Sequence, residues 1–378
     1  MAKEKNDIFS LTERYLTEKY DLRRNTITFE VEISLKGENK FEVISFEDIF
    51  KELRVAGINI RENFLKIILK SSFVPDFNPF LSYFESLNFP EKDYIKELCG
   101  FLEVEADPKE FYNSFRKMLI RCVACALGEH FNKQCFVVVS PKQNIGKTSF
   151  IQWLCPPALS KYYTEEMSFD KDGLIALASN FIINLDELST LARAEINTLK
   201  SYFSKDTIKV RLPYEPKATS VKRVANFFAS TNNEDFLTDP TGSVRWVAFY
   251  THSINFEYSQ KIDVNAVWWQ AYQAYKAGET GKLTQEEIGI NETRNLQFTK
   301  ISSEIELLQR FCEPTDNELL GEFLTVSEIQ ERLTNLSSIK TNTILLGKAL
   351  QSLKYVRSSK RIEGCKFPKY GYYIIFKK

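Results

Sequence analysis

Histidine is nearly missing from this chain: His130 and His252 are the two in 378 residues. A histidine-rich metal centre is therefore not expected. A charge excess is missing too. Lys and Arg number 50, as do Asp and Glu, for a formal net charge of zero. No overall basicity announces nucleic acid, and any such signal must be local. Long apolar runs are absent. "CFVVV" (135–139) and "FII" (181–183) are far too short to span a bilayer, so no membrane association is expected. The opening "MAKEKNDIFSLTERY" is charged and has no apolar h-region, so it does not read as a signal peptide. Seven scattered cysteines, an odd number, suit reduced thiols and a cytoplasmic protein better than a disulfide scaffold. Cys122 and Cys125 form a C-x-x-C in the apolar helical stretch "LIRCVACALG", with no second pair. Core packing is the expected role, and metal or redox use is the alternative.

What is there is an ordinary globular composition, long enough for two or three domains. Residues 26–35, "TITFEVEISL", alternate strictly and predict a half-buried strand with Ile27, Phe29, Val31, Ile33 and Leu35 on one face. "KGENK" reads as a turn and "FEVI" as its hairpin partner. Ser45 then caps a helix that Gly57 stops, and a second helix follows at 61–70. This predicts a small α+β N-terminal domain, 1–72. "VPDFNPF" (74–80) carries two prolines and reads as a linker. Phe111, Phe115, Met118, Leu119 and Cys122 have helical spacing, which makes 73–132 a helical subdomain.

From about 133 to 255 strands and helices alternate, the pattern of an α/β layer fold. The amphipathic helix "VNAVWWQAYQAYKAG" ends at Gly278 and completes a domain over 133–280. Residues 281–303 are polar and read as a connecting arm. In 304–378, a helix (325–333), a second helix (342–355) and a basic two-stranded ribbon (356–376) follow the winged-helix order.

The stretch "VSPKQNIGKTSF" (139–150) nearly repeats the phosphate-loop pattern G-x-x-x-x-G-K-[ST]. Gly146, Lys147 and Thr148 fit its second half, but Pro141 stands where the first glycine belongs. Pro141 fixes its own φ and has no N–H to donate. Asn144 occupies a spot where a flexible residue helps, and Asn tolerates left-handed backbone. An apolar strand precedes the loop and a helix follows it, so amide N–H groups at the helix start can face phosphates. Gly146 lets the backbone come close, Lys147 would reach the β- and γ-phosphates, and the Thr148 hydroxyl would sit on Mg²⁺. Gln143, Asn144, Ile145 and Ser149 complete the candidate loop.

"FIINLDEL" (181–188) is an apolar run that ends in two acids. Asp186 would hold hydrated Mg²⁺, and Glu187 would orient and deprotonate the attacking water. The alternative is a strand followed by a helix capped by its acids. "VANFFASTNNEDF" (224–236) is a third buried strand, ending in Ser230, Thr231 and Asn232. Asn232 is the candidate that touches the γ-phosphate; a simple turn residue is the alternative. Arg245, in "DPTGSVRWVAF", could reach the site of a neighbouring subunit and stabilise transition-state charge, or could form a surface ion pair.

Between these strands, residues 204–227 read as a β-hairpin. Ile208, Val210 and Leu212 alternate with Lys209 and Arg211, Tyr214 and Lys217 lie near the tip, and Lys222 and Arg223 return. A basic groove with an aromatic suits single-stranded nucleic acid, while a solvated charged hairpin is the bland alternative. From residue 340 onward many cations, including Lys348, Arg357, Lys360 and Arg361, face one acid, Glu363. That bias suits duplex or forked DNA, with a protein-binding winged helix as the other reading.

The order "SPKQNIGKT", "FIINLDEL", "IKVRLPY" and "FFASTN…FLTDPTGSVRW" resembles the virulence-associated protein E family. That family belongs with the superfamily 3 type AAA+ helicases of phages, plasmids and genomic islands. The resemblance covers roughly 75–300. "RYLTEKYDLRRNTITFEVE" and "FVPDFNPFLSYFESL" also look like the form found in Bacteroidetes mobile elements. The resemblance implies a P-loop NTPase core and a ring, expected to be a hexamer, with ATP and Mg²⁺ bound between subunits. Carried over, Lys147 and Thr148 match the phosphate loop, Asp186 and Glu187 the acidic pair, Asn232 the sensor and Arg245 the arginine finger. Two departures stand out. Pro141 replaces a usual glycine, and Val244 replaces the first of two usual adjacent arginines. The implied function is an ATP-dependent DNA helicase or translocase in replication of a mobile element. Its implied partners are single-stranded or forked DNA and a separate primase or replication initiator. Pro141 and Val244 motivate an alternative: a nucleotide-gated, non-motor DNA-binding protein that interferes with or regulates phage replication.

Overall fold

The computed structural model describes residues 7–191, 193–210, 218–237, 244–299, 303–315, 317–361 and 367–377. They form a mixed α/β fold with several sheets and many helices. The chain divides into two compact units, Met1–Phe298 and Thr299–Lys378.

The first unit begins with α1 (Ile8–Lys19), β1 (Tyr20–Asn25), β2 (Val31–Leu35), β3 (Glu42–Val43), α2 (Phe46–Val55), α3 (Glu62–Lys70) and β4 (Asp76–Phe77). The sheet order is β3-β2-β1-β4. The alternating stretch 26–35 is not one strand. The Asn25 side chain accepts the amides of Ile27 and Thr28, and Phe29 turns through φ +63°. Phe29 in this hairpin turn and Leu35 at the far end of β2 are exposed, against the predicted apolar face. On β2 it is Glu32 and Ser34 that are buried. Glu32 is satisfied there by Arg23, Asn25 and Lys161. Burial opposes its ionisation, but hydrogen bonds from Lys161, Asn25 and Arg23 hold its pKa below the ordinary value. The stretch read as a linker also pairs: β4 runs parallel to β1, and Asn78 caps the next helix.

Next come α4 (Pro79–Ser86), α5 (Tyr94–Cys99), β5 (Leu102–Val104), α6 (Pro108–Ala126), β6 (Cys135–Val139), α7 (Lys147–Leu154), β7 (Tyr163–Thr164), α8 (Lys171–Ser179) and β8 (Ile182–Leu185). They are followed by α9 (Arg193–Phe203), β9 (Thr207–Val210), β10 (Thr219–Lys222), β11 (Asn226–Thr231), β12 (Trp246–Ile254), α10 (Tyr258–Lys261), α11 (Val264–Lys276) and α12 (Gln285–Asn295). The central sheet has the order β5-β12-β6-β11-β8-β7. All its neighbours pair in parallel except β5, which is antiparallel to β12.

The unbroken apolar run of β6 has a simple cause: both faces of the strand are covered. Phe136 and Val138 pack on one side with Phe115 and Leu119 of α6, Phe150 of α7 and Trp268 of α11. Cys135, Val137 and Val139 pack on the other with Leu177 of α8 and Leu199 and Phe203 of α9. Each fully buried side chain of this size contributes ~1.5–3 kcal/mol. Cys122 and Cys125 lie buried on α6, and the Cys125 thiol faces the carbonyls of Arg223 and Ala225.

Residues 281–303, read as an arm, contain α12. A capping box of Thr284 and Glu287 starts it. Its polar residues point inward for a reason. The first half of β12 has no strand beyond it among the described residues. Asn291 and Asn295 donate to the Trp246 carbonyl, and Arg294 donates to the Ala248 carbonyl while pairing with Glu110. The polar composition that suggested a connecting arm is what a buried backbone edge requires.

The second unit holds α13 (Ser303–Phe311), β13 (Cys312–Pro314), β14 (Glu322–Leu324), α14 (Val326–Ser337), α15 (Thr343–Ser352), β15 (Arg357–Lys360) and β16 (Lys369–Phe376). β16 pairs antiparallel with β13, β14 and β15. Leu308, Ile329, Leu333, Leu346, Leu350, Tyr372 and Ile374 form its core. Among the described residues of either unit, no helix is long and apolar enough to cross a membrane.

Candidate functional site

Sheet order decides where the polar strand tips meet. β11 lies between β6 and β8, with Thr231 opposite Val139 and Ala229 opposite Leu185. The three carboxyl ends are therefore side by side. The loop after β6, the acids after β8 and the asparagine after β11 project from one edge of the sheet, where α/β folds place ligands.

They share one cavity of about 430 Å³. Its lining is Gln143–Ser149 from the loop, Asp186 and Glu187, and Ser230, Thr231 and Asn232. Pro141 is not part of the lining. Asn144 takes φ +59° and Gly146 takes φ +89°, so the loop makes its two left-handed steps at an Asn and a Gly. Gly146 is the N-cap of α7, which aims the first amides of that helix at the cavity.

Lys147 is buried at the first position of α7. Its ammonium donates to Asn232 Oδ1 at 2.7 Å, the Lys142 carbonyl at 2.9 Å and the Ser140 carbonyl at 3.2 Å. All three acceptors are neutral. Burial lowers the lysine pKa, and the nearby Asp186 carboxylate partly opposes this. A desolvated cation without a bonded carboxylate is a receptor for an anion. The Thr148 hydroxyl donates to Asp186 Oδ1 at 3.0 Å, and Ser230 donates to the same oxygen. A hydroxyl beside a carboxylate is the all-oxygen donor set that suits Mg²⁺, so these residues fit that ion. Glu187 takes φ +50°, uncommon for a glutamate, and is exposed on the cavity wall.

Arg245 is elsewhere. Trp246 pairs with Cys135 at the start of β6, whereas the loop leaves β6 after Val139. Arg245 thus lies at the opposite edge of the sheet, roughly 15 Å away along the strand. It approaches Ser204 Oγ at 3.5 Å. Within one chain it does not reach the cavity.

β9 and β10 form an antiparallel hairpin with Ile208, Val210 and Val221 buried and Lys209 and Lys222 exposed. Lys222 pairs with Asp206 at 2.7 Å. Arg211, Tyr214 and Lys217 lie outside the described residues. Arg223 must be withdrawn as a nucleic-acid contact. It is 1% exposed, donates to the Asn132 carbonyl and packs near Phe131 and Phe227. Pattern alone could not reveal this, because its acceptor is 91 residues away in the chain. In the second unit Lys348, Arg357, Lys360 and Arg361 are all exposed, on α15 and the β15–β16 ribbon.

Sequence reasoning passed over Ser230 as a site residue, although its place at the tip of a buried strand was the available signal. It also passed over Phe256, whose ring lies against Gly146.

No curated protein matches this chain by sequence. Among solved structures, the apo C-terminal region of NrS-1 shares its fold, at 13% identity over 99% of this chain and 100% of that one, with a TM-score of 0.54. Another apo structure of that region, described as its A form, gives a TM-score of 0.55, also at 13% identity, with the same coverage. The model of the virulence-associated protein E-like domain matches residues 84–300. That span holds the central sheet, the shared cavity and the edge-covering helix, and by this match the chain belongs to the virulence-associated protein E-like family.

Proposed function

We propose that this protein is an ATP-dependent DNA helicase or translocase that works in replication of a phage, plasmid or genomic island. The core would be a P-loop NTPase of the AAA+, superfamily 3 type, and the second unit a winged helix. The observation that carries the reading is Lys147: a buried ammonium with neutral acceptors, at a helix start, facing a polar cavity. Family membership and the fold shared with the NrS-1 C-terminal region support a replication-related role.

In this reading the loop amides and Lys147 bind the triphosphate. Thr148 and Asp186 hold Mg²⁺, which neutralises phosphate charge when bound. Glu187 orients and deprotonates the attacking water, and Asn232 senses the γ-phosphate. The place of Arg245 supports a ring. Since it cannot serve its own cavity, it would complete a neighbour's, with Val244 leaving it as a single finger. Lys209 and Lys222 would grip a single strand, and Lys348, Arg357, Lys360 and Arg361 duplex or forked DNA.

The test is ATP hydrolysis with and without single-stranded DNA, for wild type beside Glu187→Gln. Stimulation by DNA that the substitution abolishes is the expected result. ATP binding without hydrolysis in wild type would favour a nucleotide-gated, non-motor DNA-binding protein, the reading Pro141 and Val244 motivate. No ATP binding would sink both.

A further inference from the structure

Phe256 sits in the turn between β12 and α10, far in sequence from the loop, and is 54% exposed. Its ring is seated on Gly146. A Cβ placed at that glycine would lie 2.6 Å from Phe256 Cε1 and 2.7 Å from Cζ. The turn is held in place from two sides. The Asn255 amide donates to the Phe101 carbonyl at 2.8 Å. Tyr258 is buried with its ring 5.4 Å from that of Phe150 and 5.0 Å from that of Trp153, both on α7. The aromatic ring is thus fixed relative to the helix that starts at the phosphate-type loop, with one part on the glycine and the rest in solvent.

The cavity itself offers little to a nucleoside. Apart from Ile145 and Gly146, every lining residue is polar or charged. Such a lining suits phosphates and gives a flat heterocycle no apolar surface. A half-exposed ring on the backbone of that loop is the missing surface, and leaving it in water costs apolar burial that a ligand would recover.

Building on the nucleotide reading above, we propose that Phe256 is the nucleoside-binding residue of the site, stacking on the base or ribose of the bound nucleotide. Stacking tolerates any base, because every base has a π-face. The affinity it adds is therefore shared by ATP and GTP.

The experiment is titration of ATP and of inorganic tripolyphosphate, each with Mg²⁺, into wild type, Phe256→Ala and Phe256→Trp. Tripolyphosphate probes the phosphate cavity without a nucleoside. We expect Phe256→Ala to weaken ATP by roughly 10-fold, leave tripolyphosphate unchanged, and be rescued by Phe256→Trp. Equal loss for both ligands would overturn the proposal, since the ring would then only brace the loop. So would an unchanged ATP affinity. Tripolyphosphate binding in wild type with no gain for ATP would refute nucleoside contact while sparing the phosphate site. Binding of neither ligand would refute the nucleotide reading itself.

Discussion

Lys147 Nζ lies 2.7 Å from Asn232 Oδ1, bridging the loop after β6 and the tip of β11. The acceptor is neutral, so the lysine charge stays available to a ligand. Asn232→Asp would place a carboxylate there and engage that charge. We expect about 10- to 100-fold weaker ATP binding for both Lys147→Ala and Asn232→Asp, from charge-assisted bonds worth ~1.5–3 kcal/mol. Asn232→Ala should bind more tightly than either. Calorimetric titration of the folded variants checks the order.

Glu187 is an exposed wall residue whose side chain makes no capping hydrogen bond to the turn that follows it. Glu187→Gln should keep ATP affinity within about twofold while hydrolysis falls by roughly 10²–10⁴-fold, the usual scale of general-base loss. Single-turnover phosphate release separates the two effects.

On the hairpin, Lys209→Ala and Lys222→Ala should each weaken single-stranded DNA binding and flatten its salt dependence by about one unit of slope. Arg223→Met should leave that slope unchanged, because its guanidinium is buried near the Phe131 and Phe227 rings and donates to the Asn132 carbonyl. Fluorescence anisotropy across a salt series tests all three.

Glu32 ties the N-terminal sheet to Lys161, just before β7. Its pKa is depressed in the folded chain, so the unfolded chain binds its proton more readily. The stabilisation is present above the unfolded value, near 4.3, and is lost as pH falls through the folded value. Glu32→Gln should cost about 1–3 kcal/mol at pH 7, with the gap to wild type closing below about pH 4. Urea denaturation at several pH values measures it.

The central strands were legible because double-sided burial writes an unbroken apolar run, and a polar tip after such a run has few structural uses. "CFVVV", "FIINL" and "NFFAST" all behaved this way. Where polar residues do structural work, the same logic misleads. Glu32 and Ser34 read as a solvent face but are buried on β2. Arg223 read as a basic contact but fills an interior position. Residues 281–303 read as an arm because nothing local tells an inward asparagine from an outward one. Phe256 carried no pattern at all; only the fold brings it to Gly146, 110 residues earlier in the chain.

The helix that covers β12 has a consequence for how this chain is cut. Its three side chains arrive from 45 to 49 residues downstream of the carbonyls they meet. A shortened chain ending at 280, the boundary that hydrophobic periodicity suggests, would keep every central strand and lose that cover. Trp246 and Ala248 would then present open acceptors in a row. Such a fragment should recruit strands from other molecules and precipitate, while one extended through Asn295 should stay monodisperse in light scattering.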